Sequence, residues 1–171
     1  MKLFLENGAL IEAVGWYSRT PLHLAALNSH TSTVELLLEK GVRIEATDAD
    51  SDTPLHLAAQ YSHTSMVELL LTKGARIEAT DKYGNTPLHP ATQKGRTRTA
   101  ELLLKKGTQI KVTNTFGNTP LHLAAQNGHT STVGLLLEKG ASIEARNKEN
   151  KTPLGLVPWY YPSLARILET H

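Results

Sequence analysis

Residues 20–26 read Thr-Pro-Leu-His-Leu-Ala-Ala, and the same seven residues recur at 53–59 and at 119–125. Thr-Pro-Leu-His also begins at Thr86, and Thr-Pro-Leu begins once more at Thr152. Successive copies are 33 residues apart. A fixed period of this length is typical of a solenoid, in which stacked copies of one supersecondary unit bury a continuous core.

Each copy is predicted to begin a helix. Thr20 places an N-cap hydroxyl before Pro21, and proline is tolerated at the first helical position. Leu22, Ala25 and Ala26 then follow at the spacing of one helical face, and the small alanines allow a neighbouring helix to approach closely. The Thr-Pro-Leu-His stretch therefore predicts the first helix of the repeating unit.

A second helix is predicted after a short polar turn at residues 28–30. Val34, Leu37 and Leu38 lie on one face of this helix. Gly41 then supplies a left-handed C-terminal stop. Glycine holds the same position in the other units, at Gly8, Gly74, Gly107 and Gly140. A polar loop follows, so the unit is helix, turn, helix and extended loop.

The chain resembles the ankyrin-repeat family in this period, in its Thr-Pro-Leu-His-Leu-Ala-Ala stretches and in the pattern Val-x-Leu-Leu-Leu-x-Lys-Gly. The resemblance covers a single domain, residues 1–171. It divides into a half repeat at 1–14, full repeats at 15–47, 48–80, 81–113 and 114–146, and a diverged C-terminal capping repeat at 147–171. It implies an all-α solenoid of stacked helix-turn-helix units with projecting β-hairpin loops. It also implies a protein partner bound on the concave face, and no catalysis.

Both ends of the chain depart from a full repeat. Residues 2–8 align with the end of a second helix, so we expect the chain to be a fragment of a longer array. Near the other end, residues 164–168 resemble a second helix and predict a C-terminal cap. Trp159 and Tyr160 are expected to belong to this cap and to pack on the repeat before it.

Repeat 3, residues 81–113, differs most from the other internal repeats. Pro90 replaces a leucine at the fourth helical position, where its missing N–H is expected to cost the first intrahelical hydrogen bond. The leucines at the equivalent positions are Leu24, Leu57 and Leu123.

Composition excludes several classes of protein. The net charge of +2 is too small to indicate a nucleic-acid or membrane partner. No stretch approaches the length of a membrane span, and the N-terminus does not read as a secretory signal. The absence of cysteine excludes disulfides and thiolate metal sites, and it fits an intracellular protein, cytoplasmic or nuclear. We expect a monomer.

Four histidines, one in each Thr-Pro-Leu-His copy, raise the question of a metal site. They should lie about 10 Å apart, the spacing of packed helices, whereas zinc requires nitrogens at about 2 Å from a shared ion. The resemblance implies instead that they hydrogen-bond within and between repeats. No Gly-x-Ser-x-Gly elbow and no glycine-rich phosphate loop is present. The sequence therefore predicts neither an enzyme nor a metal or other cofactor.

Charge is distributed unevenly among the repeats. Repeat 3 has seven basic and two acidic residues, a net charge of +5, while repeat 2, residues 48–80, has a net charge of −3. These patches indicate either a solvated surface or a partner of complementary charge. An anion-binding module centred on Lys94, Arg96 and Arg98 is one alternative function.

The aromatic residues are the best indication of function. The resemblance implies that the concave surface is built from certain loop and first-helix positions, and these hold seven of the nine aromatics. Aromatic side chains are enriched at binding hot spots. The predicted anchors are Trp16, Tyr17, Tyr61, Tyr83 and Phe116. The polar residues predicted to surround them are Arg19, Asp50, Asp52, Asn85, Lys94 and Asn118. The alternative is a passive spacer in a larger protein, with the concave face unused.

Overall fold

The computed structural model describes residues 11–170. These residues form nine α-helices and two 3₁₀ turns, Trp16–Ser18 and Leu154–Leu156. The helices are α1 (Pro21–Leu27), α2 (Thr31–Glu39), α3 (Pro54–Gln60), α4 (Thr64–Thr72), α5 (Leu88–Gln93), α6 (Thr97–Lys105), α7 (Pro120–Gln126), α8 (Thr130–Glu138) and α9 (Pro162–Glu169). The half repeat predicted at 1–14, with its helix end at 2–8, lies largely outside the described residues.

The helices form consecutive pairs that stack in chain order. Helices α1 and α2, α3 and α4, α5 and α6, and α7 and α8 pack within their own repeats. The first helices α1, α3, α5 and α7 also pack on one another in sequence, as do α4, α6 and α8. This arrangement confirms the predicted all-α solenoid. Its core is a row of buried leucines and alanines, among them Leu22, Leu55, Leu88 and Leu121.

Each buried histidine joins two repeats. The Nδ1 atom of His56 accepts a hydrogen bond from the backbone N–H of Thr53 at 3.2 Å, so the ring proton lies on Nε2. That Nε2 atom donates to the carbonyl of Asn85 in the next repeat at 2.9 Å. His23, His89 and His122 make the same pair of contacts. Hydrogen bonding within and between repeats, which the resemblance implied, is thereby confirmed.

The loops between repeats are tighter than the predicted β-hairpins. Within residues 11–170 the loops contain no β-strand. Backbone hydrogen bonds within each loop close it, such as the 3.0 Å bonds from the N–H of Asp81 to the carbonyl of Asn85 and from the N–H of Gly84 to the carbonyl of Asp81. A further bond joins successive loops, as from the N–H of Thr115 to the carbonyl of Tyr83 at 2.8 Å. The loops therefore differ from the predicted hairpins in one respect, since each is closed as a five-residue turn without strand pairing.

Pro90 removes the first hydrogen bond of the first helix in repeat 3, as expected. In the other repeats the residue at this position donates to the N-cap threonine, for example Leu57 to Thr53 at 3.3 Å. Pro90 has no N–H to donate, and α5 begins at Leu88, one residue later than its counterparts. The bond from the N–H of Ala91 to the carbonyl of Pro87 is 3.4 Å long. Proline therefore removes one hydrogen bond at this helix start.

We expect Pro90→Leu to raise the free energy of unfolding by about 1 kcal/mol, the usual net value of one hydrogen bond. The gain should not exceed about 3 kcal/mol, the cost of a proline in a helix interior. Urea unfolding of both proteins at pH 7.5 measures this difference. Pro120→Ala is the control, because the first residue of a helix needs no N–H partner. An unchanged or lower midpoint for Pro90→Leu would show that the missing bond costs nothing.

Helix α9 packs on the last full repeat through two leucines. Leu164 and Leu168 of α9 are buried against the last repeat. Tyr161 also packs against this cluster, whereas Trp159 is 90% exposed and Tyr160 is 58% exposed. The expectation that Trp159 and Tyr160 pack on the preceding repeat was wrong, since the two prolines around them form a turn that points both side chains outward.

In the part of the chain that the structure describes, every helix is too short to cross a membrane.

Candidate functional site

A groove of about 440 Å³ runs between the loops and the first helices of repeats 2 to 4. Loop residues form one side of the groove: Asp52, Asp81, Tyr83, Asn85, Asn114, Phe116 and Asn118. Residues of the first helices form the other side: Gln60, Pro90, Gln93, Leu123 and Gln126. Amides, two carboxylates and two aromatic rings therefore line this groove, which we call the inner groove.

The loops hold their side chains in place by hydrogen bonds at the loop base. The carboxylate of Asp81 accepts from the backbone N–H groups of Tyr83 and Asn85, both at 2.8 Å. The side-chain oxygen of Asn114 accepts in the same way from the N–H groups of Phe116 and Asn118, both at 3.0 Å. An aspartate or asparagine that bonds to the backbone two residues on is a common means of fixing a turn. The aromatic side chains therefore project from rigid loops.

Tyr83 and Phe116 form a stacked pair at the edge of the inner groove. Their ring centroids are 6.3 Å apart, with an interplanar angle of 29°. Tyr83 is 44% exposed and Phe116 is 56% exposed. Offset stacking of this kind is favourable for aromatic rings. The pair therefore presents a preformed apolar surface to solvent.

Asp52 and Asp81 make the inner groove acidic, and no lysine or arginine is among the residues that line it. Burial raises the pKa of the Asp52 carboxyl to about 7. Repulsion from Asp48, Asp81 and Asp50 contributes to this raised pKa, while Arg19 opposes the shift. An ionised Asp52 is therefore destabilised in the folded protein near neutral pH.

Five of the eleven residues predicted from the sequence come together in the inner groove. They are Asp52, Tyr83, Asn85, Phe116 and Asn118. The other six lie outside it: Trp16, Tyr17, Arg19, Asp50, Tyr61 and Lys94.

Those six residues have other surroundings. Trp16 is 90% exposed in the first 3₁₀ turn, and the Arg19 guanidinium lies 5.6 Å from the centre of the Tyr17 ring. Tyr61 follows α3 and stacks on His63 with ring centroids 6.5 Å apart. Lys94 is exposed at the end of α5. Arg19 and Asp50 form salt bridges with neighbouring loops.

Sequence reasoning missed most of the helical side of the groove. Gln60, Gln93 and Gln126 occupy one position in three consecutive repeats, and this recurrence was the available signal. Asp81 and Asn114 were missed because the residue at this position accepts hydrogen bonds from the backbone of its own loop. Both of these also border the groove.

Three acidic residues of repeat 2 approach each other closely. Carboxylate oxygens of Asp48, Asp50 and Asp52 lie within 4.8 Å of one another. Asp48 is already bonded to Arg19 at 3.1 Å and to two backbone N–H groups, and Asp50 pairs with Lys82. Loop structure therefore accounts for two of these three carboxylates.

The basic residues of repeat 3 are partly structural as well. Arg96 donates from Nε to the carbonyl of Gln60 at 3.0 Å, where His63 and His129 make the equivalent contacts in their repeats. Lys105 and Lys106 form salt bridges with acidic residues. Lys94 and Arg98 are exposed.

Comparison with protein families gives matches along most of the chain. A family model of three ankyrin repeats matches residues 42–114. The model of a single ankyrin repeat matches residues 17–49 and 116–148. A comparison with curated proteins gives no match.

Proposed function

The chain belongs to the ankyrin-repeat family, and from this premise we propose that it is a non-enzymatic module that binds a protein partner in the inner groove. Proteins of this family are generally protein-interaction modules and are typically not enzymes. The observation that carries the proposal is the exposed Tyr83–Phe116 pair beside a groove lined by amides and carboxylates.

The groove offers a partner both apolar area and hydrogen-bond specificity. Gln60, Gln93 and Gln126 each carry an amide that donates and accepts, and they follow one another along the first helices. Extended backbone of a partner presents the complementary N–H and C=O groups. Aromatic anchors surrounded by such polar groups are the usual composition of a binding hot spot.

Binding to a rigid surface has a small entropic cost. Hydrogen bonds at the loop bases and between successive loops hold the groove in one conformation before a partner arrives. Less side-chain and loop ordering is then required on association. This is the mechanism we propose for partner recognition.

The two alternative functions find less support. For an anion-binding module, Arg96 would have to leave the carbonyl of Gln60. For a passive spacer, the exposed aromatic pair would serve no purpose on a chain that has few aromatics. The four buried histidines offer no hydrolytic base, because the cap and the next repeat occupy both ring nitrogens, as at His56.

A paired capture experiment tests the proposal. The wild-type chain and the double variant Tyr83→Ala, Phe116→Ala are used as bait in lysate of the source cells, with identification by mass spectrometry. The matched control is Trp159→Ala, Tyr160→Ala, which removes two exposed aromatics outside the inner groove. Circular dichroism verifies that each variant keeps its helices.

We expect a protein that the wild type and the control capture and that the groove variant loses. Equal capture by all three baits would contradict binding in the inner groove and would favour the spacer. Loss with the control variant alone would place the binding surface at the C-terminal cap instead.

A further inference from the structure

Polar side chains join the loops of neighbouring repeats in register. The contact runs from the fifth residue of one loop to the first residue of the next loop. In each contact a side-chain N–H group of one residue donates a hydrogen bond to a side-chain oxygen of the other. Three junctions are joined in this way: Arg19 to Asp48 at 3.1 Å, Asn114 to Asn85 at 2.9 Å, and Asn147 to Asn118 at 2.8 Å.

The junction between repeats 2 and 3 lacks a donor. The equivalent residues there are Asp52 and Asp81, one period before Asn85 and Asn114. Above about pH 7 the Asp52 carboxyl is ionised, and two facing carboxylates have no hydrogen to donate to each other. Asp81 accepts from the backbone and side chain of Asn85, whereas the carboxylate of Asp52 has no donor among the described residues. The side-chain oxygens of Asp52 and Asp81 therefore lack the hydrogen-bond donor that joins the loops at the other three junctions.

This junction opens into the inner groove. Asp52 and Asp81 both line it, and Tyr83 and Phe116 stand beside them. The nearby cations are engaged elsewhere, since Arg19 pairs with Asp48. Lys82 likewise pairs with Asp50, and its Nζ atom lies 4.9 Å from the centre of the Tyr83 ring. Negative charge and aromatic surface thus meet at one point of the groove.

We propose that this point receives a positively charged side chain, of lysine or arginine, from the protein partner. The inference rests on the proposed function and names the chemistry of the partner. The cation takes the place of the donor that the other junctions supply internally. The aliphatic stem of the same side chain packs on Tyr83 and Phe116, whose ring faces also attract cations.

A random peptide library displayed on phage provides the probe. It is selected on the immobilised wild-type chain, and clones that also bind the Tyr83→Ala, Phe116→Ala variant are removed. Synthetic copies of the remaining peptides are then measured by fluorescence polarisation against wild type, Asp52→Asn and Asp50→Asn. Asn occupies the position of Asp52 in repeats 3 and 4, so the first variant retains a residue that the loop already accepts. Asp50→Asn is the matched control, because it removes the same charge two residues away and outside the groove.

We expect these peptides to be enriched in lysine or arginine. Their Kd should rise about tenfold with Asp52→Asn and should change less than about twofold with Asp50→Asn. Replacing the enriched arginine by citrulline should give the same loss on wild type. Peptides that require the aromatic pair, are not enriched in lysine or arginine, and bind Asp52→Asn as well as wild type would overturn this inference. That result would leave the proposed function standing. Failure to find any peptide that requires the aromatic pair would overturn the proposed function with it.

Discussion

Acidification from pH 7 to pH 4.5 is expected to lower the free energy of unfolding by about 3 kcal/mol, through the buried histidines. Burial lowers the pKa of His89 to about 4, and the hydrogen bond to the Asn118 carbonyl only partly offsets it. Burial lowers the pKa of the other three in the same way: His23, His56 and His122. A proton on Nδ1 would also face the N–H of the N-cap threonine, for example Thr86 at 3.0 Å.

The direction of the effect follows from proton linkage. The unfolded chain binds protons at these histidines near pH 6.5, whereas the folded protein resists them until about pH 4 at His89. Between these values the unfolded state holds more protons, so stability falls as the pH falls. The stabilisation is fully present above about pH 7.

Urea unfolding at half-unit steps between pH 7.5 and pH 4.5 measures this loss. Nitrogen NMR of the imidazoles at pH 7 provides an independent readout, since each of the four rings should be neutral with its proton on Nε2. A free energy of unfolding that stays constant or rises through this range would contradict the role assigned to the histidines.

Asp52→Asn is expected to stabilise the protein by about 2 kcal/mol at pH 8. The raised pKa of about 7 for Asp52 against an ordinary value of 3.8 corresponds to about twice that energy. We halve it because the side chain is only partly buried and solvent screens its charge. Asn85 shows what the new amide can do, since its Nδ2 donates to Asp81 at 2.8 Å.

This effect has the opposite pH dependence to that of the histidines. A raised folded pKa makes the ionised carboxyl costly, so the penalty grows from about pH 4 to pH 7 and is complete above it. The variant should therefore gain most at pH 8 and little at pH 4. Its stability should also fall more steeply on acidification than that of wild type, since the opposing contribution of Asp52 is gone.

Urea unfolding of Asp52→Asn, Asp50→Asn and wild type at pH 8 and pH 4.5 tests these statements. Asp50→Asn removes a surface salt bridge to Lys82 and is expected to change stability by less than about 1 kcal/mol. If Asp52→Asn is no more stable than wild type at pH 8, the ionised Asp52 carboxylate does not destabilise the folded protein.

The sequence was sufficient to predict the helices because each boundary depends on a local signal. Thr20 and Pro21 begin a helix, and Gly41, with a φ of +81°, follows the end of the next one. Even the exception at Pro90 could be predicted, since its effect lies in its own missing N–H. The loops were predicted less well because the resemblance alone suggested strands. Backbone hydrogen bonds within each loop close it as a turn without strand pairing, and a further bond joins it to the next loop.

The candidate site could be predicted only in part, because its geometry depends on contacts between repeats. Tyr83 and Phe116 were found because aromatic residues are rare in this chain and occupy the same loop position. Asp50 holds this position in repeat 2 but pairs with Lys82 and leaves the groove. This salt bridge joins residues that are 32 positions apart, and it depends on side-chain directions that the sequence does not reveal. Trp159 was misplaced because the prolines on either side of it form a turn that points its side chain outward.

Site-specific photo-cross-linking tests the central claim of partner binding in the inner groove most directly. Tyr83 is replaced by p-benzoylphenylalanine in one chain, and Glu138, exposed at the end of α8 outside the groove, is replaced in a second chain. Both are irradiated in lysate of the source cells, and adducts are identified by mass spectrometry. We predict a single protein adduct from position 83 that is absent from position 138. Adducts from position 138 with none from position 83 would contradict the account.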